Sequence, residues 1–202
     1  MSAMYDYLSY RIGRAAWPEF AAHIRNDVVP ALAGSGTELV GLFSPQLGFA
    51  SNEAIILVRR HETISQLPAS FREIDTAAIV GCEGLFPTTR PRPGDRLRDG
   101  GIYVHRWFTI DGNRTEDFVD LSNRAWLGFE GAYDTEIFGL FRANASPEDQ
   151  AEKAARFLLL TWYKNHAVWE ASREQPRDPK SLFAQRHQLT RTTIGRSSVR
   201  VL

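Results

Sequence analysis

The segment TELVGLF at residues 37–43 returns almost unchanged as TEIFGLF at residues 135–141, an offset of 98 residues. A repeat of this kind constrains a fold more than composition does, because one unit must form the same elements twice. The same offset pairs Tyr5 with Tyr103, Tyr10 with Phe108, Ile12 with Ile110 and Phe20 with Phe118. Two separated stretches therefore agree in register. Downstream, IILVRRHET from Ile55 aligns with LLLTWYKNH from Leu158 at an offset of 103, and the five additional residues fit the ASPEDQ stretch at 145–150.

Both copies read in one order. Residues 5–12 and 102–110 are rich in aromatic and β-branched side chains and short enough to be strands. A helix follows each. In the first copy Pro18 suits an opening helical turn, Phe20, Ile24 and Val28 recur at helical spacing, and Pro30 ends or kinks the helix. In the second, Phe118, Leu121, Ala125, Trp126 and Phe129 form one apolar stripe. Residues 37–43 and 135–141 are second strands, and 54–60 and 157–163 are third strands. Short helices come next, with a capping box at Thr63 and Gln66 in the first copy and Asn165 as cap in the second. Residues 77–86 and 189–202 close the copies as extended stretches.

The order βαββαβ, read twice, is the ferredoxin-like pattern. The expected organisation is a first ferredoxin-like repeat at 1–86, a connector at 87–100 marked by prolines, glycines and arginines, and a second repeat at 101–202. A four-stranded sheet with helices on one face leaves its other face apolar and must cover it. The fold class expected is α+β, tandem ferredoxin-like βαββαβ repeats packed sheet to sheet as a dimeric-α/β-barrel-type fold.

Composition narrows the partners. A formal charge of zero argues against the broad phosphate attraction that nucleic-acid binding requires. No apolar run is long enough for a membrane-spanning helix and the first residues lack a signal-peptide pattern, so a cytoplasmic protein is expected. The single cysteine, Cys82, excludes an internal disulfide and reads as a small buried side chain. After Asp178 there is no acid, while Lys180, Arg186, Arg191, Arg196 and Arg200 follow. Such a tail meets either an anionic ligand or partner, or solvent along the face of a last strand.

No P-loop, HExxH, dinucleotide fingerprint, nucleophile elbow or metal-spaced histidine cluster occurs, so no metal site and no cofactor is expected. The strongest constellation comes from strand alternation. Tyr5, Tyr7, Ser9 and Arg11 share one face of the first strand, and Tyr103, His105, Trp107 and Thr109 share the equivalent face of the fifth. Leu8, Tyr10 and Ile12, like Val104, Phe108 and Ile110, then face the helices. His105 is the side chain suited to proton transfer near neutral pH, and Tyr7 is its counterpart in the other copy. These two are the candidate catalytic residues on a cavity wall. Tyr5, Tyr103 and Trp107 are candidate walls for a flat aromatic ligand. The same pattern also describes ordinary core residues.

The strands MYDYLSYR and IYVHRWF, each leading to a helix, a GLF strand and an apolar third strand, with Trp169 and Arg173 beyond, make the chain resemble the NIPSNAP family of the dimeric α/β-barrel superfamily. The resemblance implies two ferredoxin-like units, small ligands held between sheet and helices, and pairing of chains as a homodimer. Related families include cofactor-free monooxygenases, haem-handling proteins and catabolic enzymes. Arg106 falls where the family commonly carries an arginine, although the first copy has Leu8 there. Asn123 and Trp126 resemble the Asn and Trp with which cofactor-free monooxygenases of the superfamily hold a phenolic substrate, and they are the further candidate ligand residues.

The function expected is a small-molecule enzyme or binding protein acting on an aromatic or polycyclic hydrophobic compound by cofactor-free acid–base chemistry. A non-enzymatic interaction module is one alternative. A haem-binding protein with His105 or another histidine as ligand is the other.

Overall fold

The structure is a computed structural model and describes residues 3–13, 16–61, 64, 67–72, 74–173 and 181–202. Its contacts divide the chain into two compact units, residues 1–86 with 198–202, and residues 87–197.

The first unit contains strands β1 (Ala3–Ile12), β2 (Thr37–Leu47), β3 (Glu53–His61) and β4 (Ala77–Pro87) in the sheet order β4-β1-β3-β2. Helix α1 (Trp17–His23) follows β1, with Pro18 in its first turn as expected. It runs through a π-helical stretch (Ile24–Val28) into α2 (Val29–Ala31), so the helix is broken just before Pro30 and ends one residue after it. The wider π turn is the usual way a helix absorbs a local break in its hydrogen-bond ladder. Between β3 and β4 the described residues form only a 3-10 turn (Ala69–Phe71). The capping box expected at Thr63 and Gln66 lies outside the described residues. Leu8, Tyr10 and Ile12 join Phe20, Ile24 and Val28 in one buried cluster, at roughly 1.5–3 kcal/mol for each large side chain removed from water. Tyr10 meets Phe20 in a tilted contact at 5.3 Å, and its hydroxyl donates to the Phe71 carbonyl at 2.7 Å.

In the second unit the strands are β5 (Ile102–Asp111), β6 (Thr135–Ala143), β7 (Ala154–Tyr163) and, as far as Ser197, β8 (Thr190–Arg200), in the order β8-β5-β7-β6. This is the first unit's order again. Helix α3 (Thr115–Ala132) buries Phe118, Ser122, Ala125 and Trp126 against the sheet. Phe108 meets Phe118 at 5.1 Å, the counterpart of the Tyr10–Phe20 contact. The five added residues are absorbed by α4 (Pro147–Ala151), which opens with a capping box between Ser146 and Asp149. Asn165 caps α5 (His166–Ala171) as expected, accepting from the Val168 amide at 3.0 Å. Helix α6 (Leu182–Gln188), capped by Ser181, was not expected from the sequence.

Register confirms the duplication residue by residue. Tyr5 pairs with Arg59 and Tyr103 with Trp162, and Leu8 pairs with Ile56 as Arg106 does with Leu159. Between second and third strands each unit carries one extra residue, Val40 before Gly41 and Phe138 before Gly139. A bulge conserved between copies is a designed feature of the strand.

One expectation is corrected. Cys82 lies exposed on β4, a strand on which only Leu85 is buried. Residues 88–101, which hold most of the expected connector, form no helix or strand and are anchored to the second unit. The Thr88 amide donates to the Leu140 carbonyl at 2.9 Å and the Leu140 amide to the Arg90 carbonyl at 3.2 Å, while Leu97 is buried. Arg98 stacks on Trp162 at 3.9 Å. No helix among the described residues is long and apolar enough to cross a membrane.

Candidate functional site

A cavity of about 340 Å³ lies within the second unit, on the helix-facing side of its sheet. Repeat equivalence explains why it is open there. Leu8 and Val58 fill this level of the first unit as part of a closed apolar cluster. At the same level the second unit has Arg106 and Thr161, which both line the cavity. Alternation along β5 puts Arg106 on the same face as Phe108, with Leu159 opposite it on β7. Trp126 and Phe129 come from α3, and Phe183, Arg186 and His187 come from α6. Phe129 meets Phe183 at 5.5 Å, so the two helices meet ring to ring beside the opening.

The walls are aromatic and the charge is positive. The Arg186 guanidinium carbon sits 5.0 Å from the ring centre of Phe183, 5.1 Å from Phe108 and 6.0 Å from Phe118. Only 7% of Arg186 is exposed, and its Nη1 has no hydrogen-bond partner among the described residues. Burial, followed by the neighbouring Arg106 cation, lowers its pKa to about 10, with Tyr163 acting the other way. It remains charged at neutral pH. Burial also raises the Tyr163 phenol, against the influence of Arg106, a hydrogen bond with Ser172, and Arg186. Trp126 carries a second orphan, its buried Nε1. On the indole face Arg90 stacks at 5.3 Å, held by Glu130 at 2.7 Å.

The residues singled out by sequence divide around this cavity. Trp126 lines it. Asn123, three residues earlier, instead accepts a hydrogen bond from the Thr89 hydroxyl. His105 was expected on a cavity wall but is fully buried, one residue from Arg106 and therefore on the opposite face of β5. Burial, and secondarily Arg196, lowers its pKa to about 3, so it is neutral at pH 7. Tyr103 is buried on that face too, its hydroxyl donating to the Arg98 carbonyl at 2.7 Å. Trp107 is half-buried, with Arg156 at 5.9 Å from its ring. Tyr5 and Tyr7 are buried on the corresponding face of β1 in the first unit. None of these five lines the cavity.

Arg186, Tyr163 and Phe183 were not recognised as site residues from sequence. In the sequence Arg186 reads as part of a basic tail, and a short helix with one buried cation gives no apolar stripe by which to find it. Among the described residues no group of three His, Cys, Asp or Glu could hold a metal ion.

No family model matches the chain, and no curated protein matches it. Solved structures do. A candidate monooxygenase from Lactobacillus acidophilus NCFM is 14% identical at a TM-score of 0.59, over 99% of this chain and 94% of that one. A haem-binding protein from Thermus thermophilus is 8% identical at 0.59, over 100% and 92%. A mutant chlorite dismutase from Candidatus Nitrospira defluvii is 7% identical at 0.66, over 100% and 93%. The likeness is one of fold. The chain has the α+β fold of the dimeric α/β-barrel type, with ferredoxin-like repeats.

Proposed function

We propose that this chain binds a small aromatic compound in the second unit's cavity. The observation that carries the reading is a cavity of about 340 Å³ walled by Phe108, Trp126, Phe129 and Phe183, with an unpartnered indole N–H on its wall. Ligand sites are typically apolar hollows of about 300–1,000 Å³ with a few convergent polar groups. This volume stands at the small end and fits one or two fused rings. The NIPSNAP resemblance and the pairing of two chains belong to the same proposal and are supported by the fold alone.

Acid–base chemistry by His105 and Tyr7, as expected from sequence, draws no support from this cavity. His105 points to the other sheet face and is held neutral. The polar groups that line the cavity include Arg106, Arg186, Tyr163 and Trp126, with Arg173 and His187 beside them, and they can orient and bind an aromatic compound.

The fold neighbour that binds haem makes haem a case to test against these residues. Haem iron takes an axial His, Cys, Met or Tyr. The buried cations here are guanidiniums, which do not ligate iron, and His187 is exposed. Burial keeps Tyr163 protonated, which opposes ligation as the phenolate. The residues do not fit a haem.

The experiment is a thermal-shift and tryptophan-fluorescence titration with naphthols and naphthoates. Binding only to the native state raises the melting temperature with ligand concentration. Saturable shifts are expected, and the fluorescence change should shrink in Trp126→Phe. Absence of any shift at millimolar concentration refutes the reading.

A further inference from the structure

We propose that the cavity selects an aromatic carboxylate, its anionic group held between Arg106 and Arg186. The inference rests on the proposed cavity reading and adds the charge of the ligand.

Three observations carry it. The first is that neither arginine has an acidic partner among the described residues. Other arginines of the second unit find carboxylates, Arg90 with Glu130 at 2.7 Å, Arg156 with Asp149 at 2.8 Å and Arg191 with Asp111 at 2.5 Å. No carboxylate of the described residues pairs with Arg106 or Arg186 or lines the cavity, while Arg173 and His187 add further basic groups. Glu174 and Asp178 lie outside the described residues.

The second is that Arg186 is presented rather than merely tolerated. Three phenylalanine rings hold the guanidinium by cation–π contacts within 6.0 Å. They leave Nη1 buried without an acceptor. A buried donor without a partner is costly, and a carboxylate oxygen would satisfy it with a charge-assisted bond.

The third is that the fold does not require the charge. The first unit builds the same sheet with Leu8 where the second has Arg106, in the same register against the third strand. The two planar guanidiniums suit a two-oxygen anion, and the surrounding rings suit an aryl group on it.

The test compares 2-naphthoate with 2-naphthamide, which share rings and differ in charge, by calorimetric titration of the full chain, with inorganic phosphate as a third probe. The acid should bind about tenfold or more tighter than the amide, the usual scale for a charge-assisted pair. Arg106→Leu should fold and erase most of that preference, and Arg186→Lys should reduce it. Equal affinity for acid and amide overturns the inference and leaves the cavity reading standing. Failure of both to bind at millimolar concentration overturns the cavity reading and the inference together. Phosphate binding as tightly as naphthoate overturns the aromatic part, since the rings would then contribute nothing.

Discussion

Leu8 and Arg106 occupy the same position of the two repeats, opposite Ile56 and Leu159 respectively, and only the arginine stands beside a cavity. The leucine is sealed in an apolar cluster.

From that equivalence, Arg106→Leu should stabilise the protein in the absence of ligand. It removes a cation that destabilises the charged form of Arg186 and replaces it with the residue the other copy uses. A gain of about 1 kcal/mol would raise the melting temperature by roughly 2–4 °C for a chain of this size. Differential scanning calorimetry reads this directly, and a lower melting temperature would contradict it.

The first unit carries its charge differently. Asp6 and Arg60 form a nearly buried pair at 2.5 Å, with side chains 6% and 11% exposed. Asp6→Asn leaves the guanidinium without its counter-ion and should cost about 3–5 kcal/mol in urea unfolding. The second unit has Val104 and Tyr163 at the equivalent positions. The double variant Asp6→Val with Arg60→Tyr should therefore recover most of the loss, whereas a loss as large as that of the single variant would show that the pair itself is needed.

His105 should make the protein sensitive to acid. Its folded pKa of about 3 lies below the ordinary histidine value near 6.5, so the unfolded chain binds the proton first. Its contribution is full above about pH 6.5 and declines as pH falls towards about 3. Over that window the loss should amount to a few kcal/mol. His105→Gln will alter stability at every pH, but its unfolding free energy should fall less steeply between pH 6.5 and 4 than that of the parent chain. Parallel slopes would show that His105 does not titrate in this way.

Gly139 supports a close approach rather than a turn. A Cβ there would stand 2.5 Å from Pro91 Cδ and 3.0 Å from the Arg90 carbonyl oxygen. Gly139→Ala should push residues 90–91 off β6, lower the melting temperature, and speed amide exchange at Leu140, whose N–H donates to Arg90. Unchanged exchange at Leu140 would mean that the segment yields without detaching.

Much of the fold was legible because the repeat repeats its chemistry. Tyr10 with Phe20 and Phe108 with Phe118 are aromatic pairs at one offset, and they locate helix against strand in both copies. The site was less legible, since it arises where the copies differ. Alternation correctly turned Phe108 towards the helices, and Trp126 was found through its stripe on α3. The cavity also depends on Arg186, which lies on a short helix between β7 and β8 that has no counterpart among the described residues of the first unit. Periodicity cannot register a single cation buried among rings. For His105 the alternation was right and its consequence was not, because a polar residue on an inward face is as compatible with burial as with an opening.

The bulges at Val40 and Phe138 bear on how such chains can diverge. Each inserts one residue without disturbing the pairing on either side, so Leu39 and Gly41 oppose the adjacent residues Val58 and Leu57, and Ile137 and Gly139 oppose Thr161 and Leu160. Losing or gaining one codon in these seven-residue segments away from the bulge, where nothing absorbs the shift, would invert the inward and outward faces of everything beyond it. Loss of a codon around α4 would only shorten a surface turn. Among related genes, length variation should accumulate at residues 145–150 and, within 37–43 and 135–141, be confined to the bulge positions 40 and 138.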